Sequence, residues 1–236
     1  MMKKRKQVRL DRWKALLYKD ICDLRWNGQV LLNFIGGIFF DFFTCFCSGR
    51  NHLIIFFLLG FIFVMLTMLM QGNLMVEEQE QRTIRSLKQA GFSFKEIYIY
   101  KMIVTFTATV LVLVIFSVLY GNHFLFSIKL FILVLPIMII MLVAGTFLGI
   151  KTKNTIEISL YGVPIIILYF FVEGLLMNSS KEDMPWLVVF PNYHLHYGID
   201  QLYFNEPFLS YLVVPVIWMT AVVAVFVSWY RNQSFD

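Results

Sequence analysis

Apolar positions fall into six runs nearly free of charge, at about 30–47, 53–75, 97–120, 124–150, 156–177 and 208–229, with polar stretches between them. A hydrocarbon core about 30 Å thick takes roughly 20 residues per helical crossing, which is the length of these runs. They are apolar on every side, whereas strands of a membrane barrel would show segments of about ten residues with alternating polarity. The pattern predicts an all-α integral membrane protein with six transmembrane helices. It forms a single transmembrane domain over 1–236, without internal repeat or second domain.

The polar stretches differ in kind. In residues 1–27, Trp13, Leu16, Leu17, Ile21 and Leu24 recur at helical spacing while Lys14, Lys19, Asp23 and Arg25 lie mostly elsewhere on the wheel, predicting an amphipathic helix at the inner interface. Asp20 interrupts its apolar face, which favours a cytoplasmic partner over a plain anchor. No short apolar stretch with a small-residue cleavage site follows the basic start, so a cleaved signal peptide is not expected. The links SGRNH, YGNHF and KTKNT are short and predict antiparallel neighbours. The external segment 178–207 is longer. Its WLVVF cannot cross and is stopped by Pro191, and Trp186, Tyr193, Tyr197 and Tyr203 suit the headgroup level.

Composition agrees, with 59% apolar residues, 25 phenylalanines and 15% charged residues, against about 25% charged in an ordinary soluble domain. Charge adds orientation. With the N-terminus inside, seventeen of the twenty lysines and arginines lie on the inner side, and only Arg50, Lys129 and Lys181 fall in or toward the outer half. Both termini are therefore expected in the cytoplasm of a multi-pass cell-membrane protein. The net charge of +5 reads as topology and contact with anionic lipid, not nucleic-acid binding, because the basic residues hug the spans. Cys22, Cys45 and Cys47 do not suggest a disulfide framework.

Catalytic chemistry is hard to find. The nearest approach to a phosphate-cradling loop is GTFLGIKT, residues 145–152, but its glycines are too close together and an isoleucine separates Gly149 from Lys151. Gly145 and Gly149 read instead as a close helix contact. Cys45, Cys47, His52, His123, His194 and His196 all fall near the outer face, but their spacing is not diagnostic of a metal and none is assigned. No serine, cysteine or carboxylate constellation indicates hydrolysis within the membrane.

One long polar run remains, VEEQEQRTIRSLKQAGFSFKEIYIYK, residues 76–101. Acids Glu77, Glu78 and Glu80 come first and Arg82, Arg85 and Lys88 later, an order that suits a helix dipole. Ile84, Leu87 and Ala90 form a short apolar stripe, Gly91 can close the helix, and Ser93 can cap the next one, which runs through Glu96 into the third span. The expectation is a cytoplasmic helix between spans two and three, within 76–96.

The residue order resembles the coupling segment of permeases of the second class of ABC-type exporters, of the form E-R-E-x-G-T-L-E-x-L followed by S-x-x-E-I-x-x-x-K. Glu78, Glu80, Thr83, Ile84 and Leu87 match its first part, and Ser93, Glu96, Ile97 and Lys101 its second. Arg82 stands where glycine is usual, and Gly91 where proline is common. The six-span plan, amphipathic N-terminal helix and external loop extend the likeness over the chain. The resemblance implies a permease without ATPase activity, paired with a second permease and two cytoplasmic ATPase subunits that bind the ATP and magnesium; this chain would bind no cofactor. It implies that Glu78, Glu80, Arg82, Thr83, Leu87, Ser93 and Glu96, with Trp13, Leu17 and Asp20 of the N-terminal helix, dock on the ATPase. Its closure would then rock the permease halves.

The expected cargo is amphipathic or apolar, because adaptable aromatic and methionine-rich walls discriminate poorly. A hydrophobic peptide such as a bacteriocin or toxin peptide is favoured over drugs and lipids, since no large external domain is present. Asp41, Lys129 and Glu173 are charges within or near the membrane and are assigned to the translocation path; either Asp41 and Lys129 pair inside the bundle, or Lys129 reaches the outer headgroups while Asp41 borders a wet interface. The same residues motivate the alternatives, an ion- or proton-coupled carrier using Asp41 and Glu173, or a membrane-embedded enzyme or scaffold.

Overall fold

The computed structural model describes residues 14, 16, 18, 19, 28–48, 52–81, 83–120, 124–178, 184–204 and 206–232, and no strand occurs among them. The helices are α1, Gly28–Ser48; α2, residues 52–80; α3, Thr83–Gln89; α4, Phe94–Tyr120; α5, Phe124–Lys151; α6, Thr155–Asn178; α7, Pro191–Tyr203; and α8, Val213–Arg231. Short 3₁₀ turns occupy Pro185–Val189 and Leu209–Leu212.

Five helical stretches are long and apolar enough to cross a membrane: Ile55–Glu80, Phe94–Tyr120, Leu125–Lys151, Thr155–Asn178 and Leu209–Arg231. The first of the six expected runs forms the 21-residue α1, but its apolar stretch among the described residues is only Phe34–Phe43.

Helix α2 is the central strut, and its Phe63, Val64, Leu66 and Met68 are fully buried. It is not one α-helix throughout, because Ile62–Leu69 is wound as a π-helix between α-helical His52–Phe61 and Met70–Glu80. Thr67 Oγ1 donates to the carbonyl of Ile62 five residues back, at 3.2 Å, and also meets Thr109 Oγ1 of α4 at 3.1 Å. A polar layer continues from there: Thr105 Oγ1 donates to Gln71 Oε1 at 2.6 Å and Gln71 Nε2 to Thr146 Oγ1 at 3.1 Å, joining α2, α4 and α5. Buried donors and acceptors in hydrocarbon need such partners.

The contact of α2 with α5 is made close by two glycines. A methyl group at Gly145 would stand 2.3 Å from the Met68 carbonyl oxygen, and one at Gly149 would stand 2.5 Å from Met75 Cβ. The pair expected to pack helices does so. By contrast α8 lies on the outside, and of its residues only Pro215 is buried.

At one end, the segment after α6 folds back onto the bundle. Leu187 is buried while Trp186, Val188 and Val189 are exposed, so the WLVVF segment is a turn with one anchored side chain. Pro191 then opens α7 rather than merely ending the segment, since proline at a first helical position gives up no intrahelical donor. Trp218 Nε1 donates to the Val189 carbonyl at 2.8 Å and Tyr203 Oη to that of Tyr120 at 3.2 Å, securing this segment to α8 and α4.

Candidate coupling site

The opposite end carries α3 and the turns around it. Gly91 adopts φ 87°, a left-handed conformation that favours glycine. The Gly91 N–H donates to the Lys88 carbonyl at 2.9 Å and the Phe92 N–H to the Leu87 carbonyl at 3.1 Å. These two bonds form a Schellman closure, and Phe92 packs in the same apolar cluster as Leu87, as that motif favours. Directly after it, Ser93 Oγ accepts from the Glu96 N–H at 3.3 Å while Glu96 Oε2 accepts from the Ser93 N–H at 3.0 Å. This reciprocal capping box starts α4. The chain thus leaves one span, makes a two-turn helix and enters the next with its backbone groups satisfied at the joint between α3 and α4.

Glu78 sits beneath this segment at 3% exposure. Its Oε1 lies 2.8 Å from Lys101 Nζ of α4, also nearly fully buried, and 2.6 Å from Lys19 Nζ of the N-terminal segment. Thr83 Oγ1 donates to its Oε2 and, at 3.3 Å, to its backbone carbonyl. One carboxylate therefore joins the N-terminal segment, α2, α3 and α4. Leu87 turns inward against Leu16, Met75, Ile97 and Tyr100, so of the apolar stripe expected to meet a partner Leu87 is covered by the protein's own core, Ile84 is half-buried and Ala90 is exposed. Arg85, Ser86, Lys88 and Gln89 are left exposed.

Glu80 has another task. Its Oε1 accepts from the Thr155 N–H at 2.9 Å, bringing the end of α2 to the start of α6. Asn154 Oδ1 caps α6 by accepting from the Glu157 N–H at 2.8 Å, and Glu157 Oε2 accepts from the Lys153 N–H at 2.8 Å. Both polar connections on this side, 81–93 and 152–154, are thereby linked through Glu80. Trp13, Leu17, Asp20 and Arg82, also assigned to coupling, lie outside the described residues.

The three intramembrane charges do not gather into one site. Asp41 is fully buried on α1, whose backbone carbonyl at Asp41 accepts from Tyr120 Oη at 3.3 Å. Lys129 is half-buried near the start of α5, and the ion pairs among the described residues do not include one between it and Asp41. Glu173 is buried at the far end, where Asn192 Nδ2 donates to its Oε2 at 3.3 Å and His196 Nδ1 lies 3.9 Å from its Oε1. His196 stacks on Phe56 at 3.8 Å between centroids. Among the described residues there is no group of three or more His, Cys, Asp or Glu that could hold a metal. The side chains of Cys45, Cys47, His52 and His123 lie outside them.

Lys19, Thr155, Asn192 and His196 were not expected in these networks. Lys101 carried a signal, as it closes the matched motif, but nothing local in the sequence shows that it is buried against Glu78.

A family model described as ABC-2 family transporter protein matches residues 39–229, well over half of the chain. The chain belongs to the ABC-2 transporter family. Members of this family are membrane transport components, not themselves catalytic, that normally work with ATPase subunits and dimerise. No curated protein and no solved structure matches the chain. The family match runs from within α1 to near the end of α8, so Glu78, Thr83, Lys101 and the capped starts of α4 and α6 all lie inside it.

Proposed function

We propose that this ABC-2 permease is the membrane subunit of an ATP-driven exporter, acting with a second permease and two separate cytoplasmic ATPase subunits to move a hydrophobic or amphipathic cargo out of the cell. A hydrophobic peptide of bacteriocin or toxin type is the favoured cargo. The observation that carries the reading is the clamped α3, a short helix tied at both ends to long spans and from beneath by Glu78. A lever must be rigid to pass a displacement on, and such a joint moves its two spans as one body.

In this reading both termini are cytoplasmic, α1 supplies a sixth crossing, and the ATPase docks on the polar face of α3 through Arg85 and Lys88. Glu78, Thr83, Leu87, Ser93 and Glu96 hold that face in place, while Glu80 brings the 152–154 connection into the same motion. Asp41, Lys129 and Glu173 border the outer part of the path.

Purification of the chain with its native neighbours tests the class. A co-purifying soluble subunit with a phosphate-binding loop, and ATP-dependent cargo uptake by inverted vesicles, are expected. Transport by the chain alone in liposomes, driven by an ion gradient, would remove the proposal. Charge reversal at Arg85 and Lys88 should weaken retention of the ATPase with insertion unchanged. Undiminished retention would place the docking surface elsewhere.

A further inference from the structure

Between α5 and α8 runs a groove of about 500 Å³ lined by Val143, Ala144, Phe147, Trp218, Val222 and Trp229 among other apolar side chains. Its walls follow one face of each helix. On α8 the lining positions from Trp218 to Trp229 repeat at three- and four-residue spacing, and on α5 positions 143, 144 and 147 do the same. Position 151 is the next on that α5 face, and it is a lysine. Lys151 is exposed, and its Nζ lies 5.5 Å from the centroid of the Trp229 ring at the end of the groove. Arg231 is exposed in the last turn of α8 at the same end. Neither cation is in an ion pair among the described residues.

We propose that this groove holds an acyl chain of an anionic phospholipid from the leaflet on the coupling side, with the phosphate on Lys151 and Arg231. Length, calibre and charge each point there. Eleven residues of helix separate Trp218 from Trp229, about 16 Å, close to the roughly 15 Å of one leaflet in a core about 30 Å thick. Over that length a groove of about 500 Å³ suits a single extended chain lying along it. Exposed cations at the membrane surface are matched by an anionic headgroup, whereas a zwitterionic lipid brings its own cation beside its phosphate and offsets them less. Phe147 against Trp229 at 4.8 Å keeps the end of the groove walled by aromatic rings.

The test uses the full chain in phosphatidylcholine vesicles carrying a minor fraction of a lipid brominated on its acyl chains, either phosphatidylglycerol or phosphatidylcholine. Bromine quenches indole emission at contact, and subtraction of the Trp229→Phe signal isolates Trp229. Brominated phosphatidylglycerol should quench Trp229 at several-fold lower mole fraction than brominated phosphatidylcholine. Lys151→Gln should reduce that preference by about fivefold. Ala144→Phe, which fills the groove, should abolish Trp229 quenching by both lipids; Ala221→Phe on the other wall serves if the first variant does not fold. Equal quenching by the two lipids, an unchanged preference in Lys151→Gln, or quenching that survives the filled groove would each overturn the proposal. So would disulfide formation between two copies of a Val225→Cys variant, since a second chain would then cover the groove.

Discussion

A glutamate is buried at each end of the bundle, and the two are compensated differently. Glu78, at the coupling end, meets two ammonium groups and a hydroxyl drawn from three other segments. Glu173, at the far end, meets an amide and, at a longer 3.9 Å, an imidazole, both from α7. Burying a charge in a low dielectric is costly unless full opposite charge and hydrogen bonds come with it. The coupling end is therefore held as one electrostatically joined piece. The far-end glutamate is held by weaker, more directional bonds to a single short helix.

The largest expected effect comes from breaking the stronger site. Lys101→Met leaves Glu78 with the half-buried Lys19 and the Thr83 hydroxyl, and loss of one partner of a buried pair costs about 3–5 kcal/mol. Thermal unfolding in detergent should show a large drop, and Lys101→Met combined with Glu78→Gln should recover part of it. Additive losses would mean that the pair contributes nothing. The matching cut at the far end, Asn192→Ala, removes the bonds its amide donates to Glu173 and to the Tyr169 carbonyl and should cost about 1–3 kcal/mol, with the loss confined to the α7 region by hydrogen exchange. A far-end loss as large as that of Lys101→Met would erase the contrast.

What joins the two ends is the seam between α2 and α5. Gly145→Ala would press a methyl group onto the Met68 carbonyl, and overpacking of this kind costs about 1–3 kcal/mol. Unlike the cuts at either end, it should loosen both at once in hydrogen exchange. Smaller still is the joint at Ser93, where Ser93→Ala removes half of a capping box worth about 1 kcal/mol. Its loss should appear at the start of α4 and spare α7.

The parts of this architecture that were legible in the sequence are those decided within a few residues. Gly91, Ser93 and Glu96 announce a helix end and a helix start through local backbone chemistry, and the structure places them so. Gly145 and Gly149 likewise announce a close contact by their size and spacing. The direction in which Leu87 points was not legible, because a three-residue apolar stripe looks the same whether it meets a partner or the protein's own N-terminal segment. Nor was the depth of Glu78. In a run of acids at 77, 78 and 80, only the tertiary approach of Lys101 and Lys19 decides which one is buried. The π-helical turn in α2 and the helical course of α7 also depend on neighbours, the Thr67–Thr109 contact in one case and the fold-back onto α6 and α2 in the other.

The smallest effect separates the two ends by pH. His194 in α7 has no counterpart at the coupling end, where the buried contacts are made by lysines, and histidine is the side chain whose charge changes near neutrality. Burial disfavours the charged ring and lowers His194 from its ordinary value of 6.5, opposed by the bond that its Nε2–H donates to the Val188 carbonyl at 2.8 Å. A histidine whose pKa is lower folded than unfolded contributes stability that is fully present above about 6.5 and is lost as pH falls through the lower folded value. Acidification should therefore weaken the attachment of α7 without touching α3. Hydrogen exchange at pH 7.5 and at pH 5 should show α7 losing protection at the lower pH, once corrected for the intrinsic pH dependence of exchange. In His194→Gln, whose amide can still donate to Val188, that loss should disappear. The same acid sensitivity in the variant would assign the effect to another group at the far end, and an equal loss at α3 would show that the two ends do not differ in the way their buried charges are held.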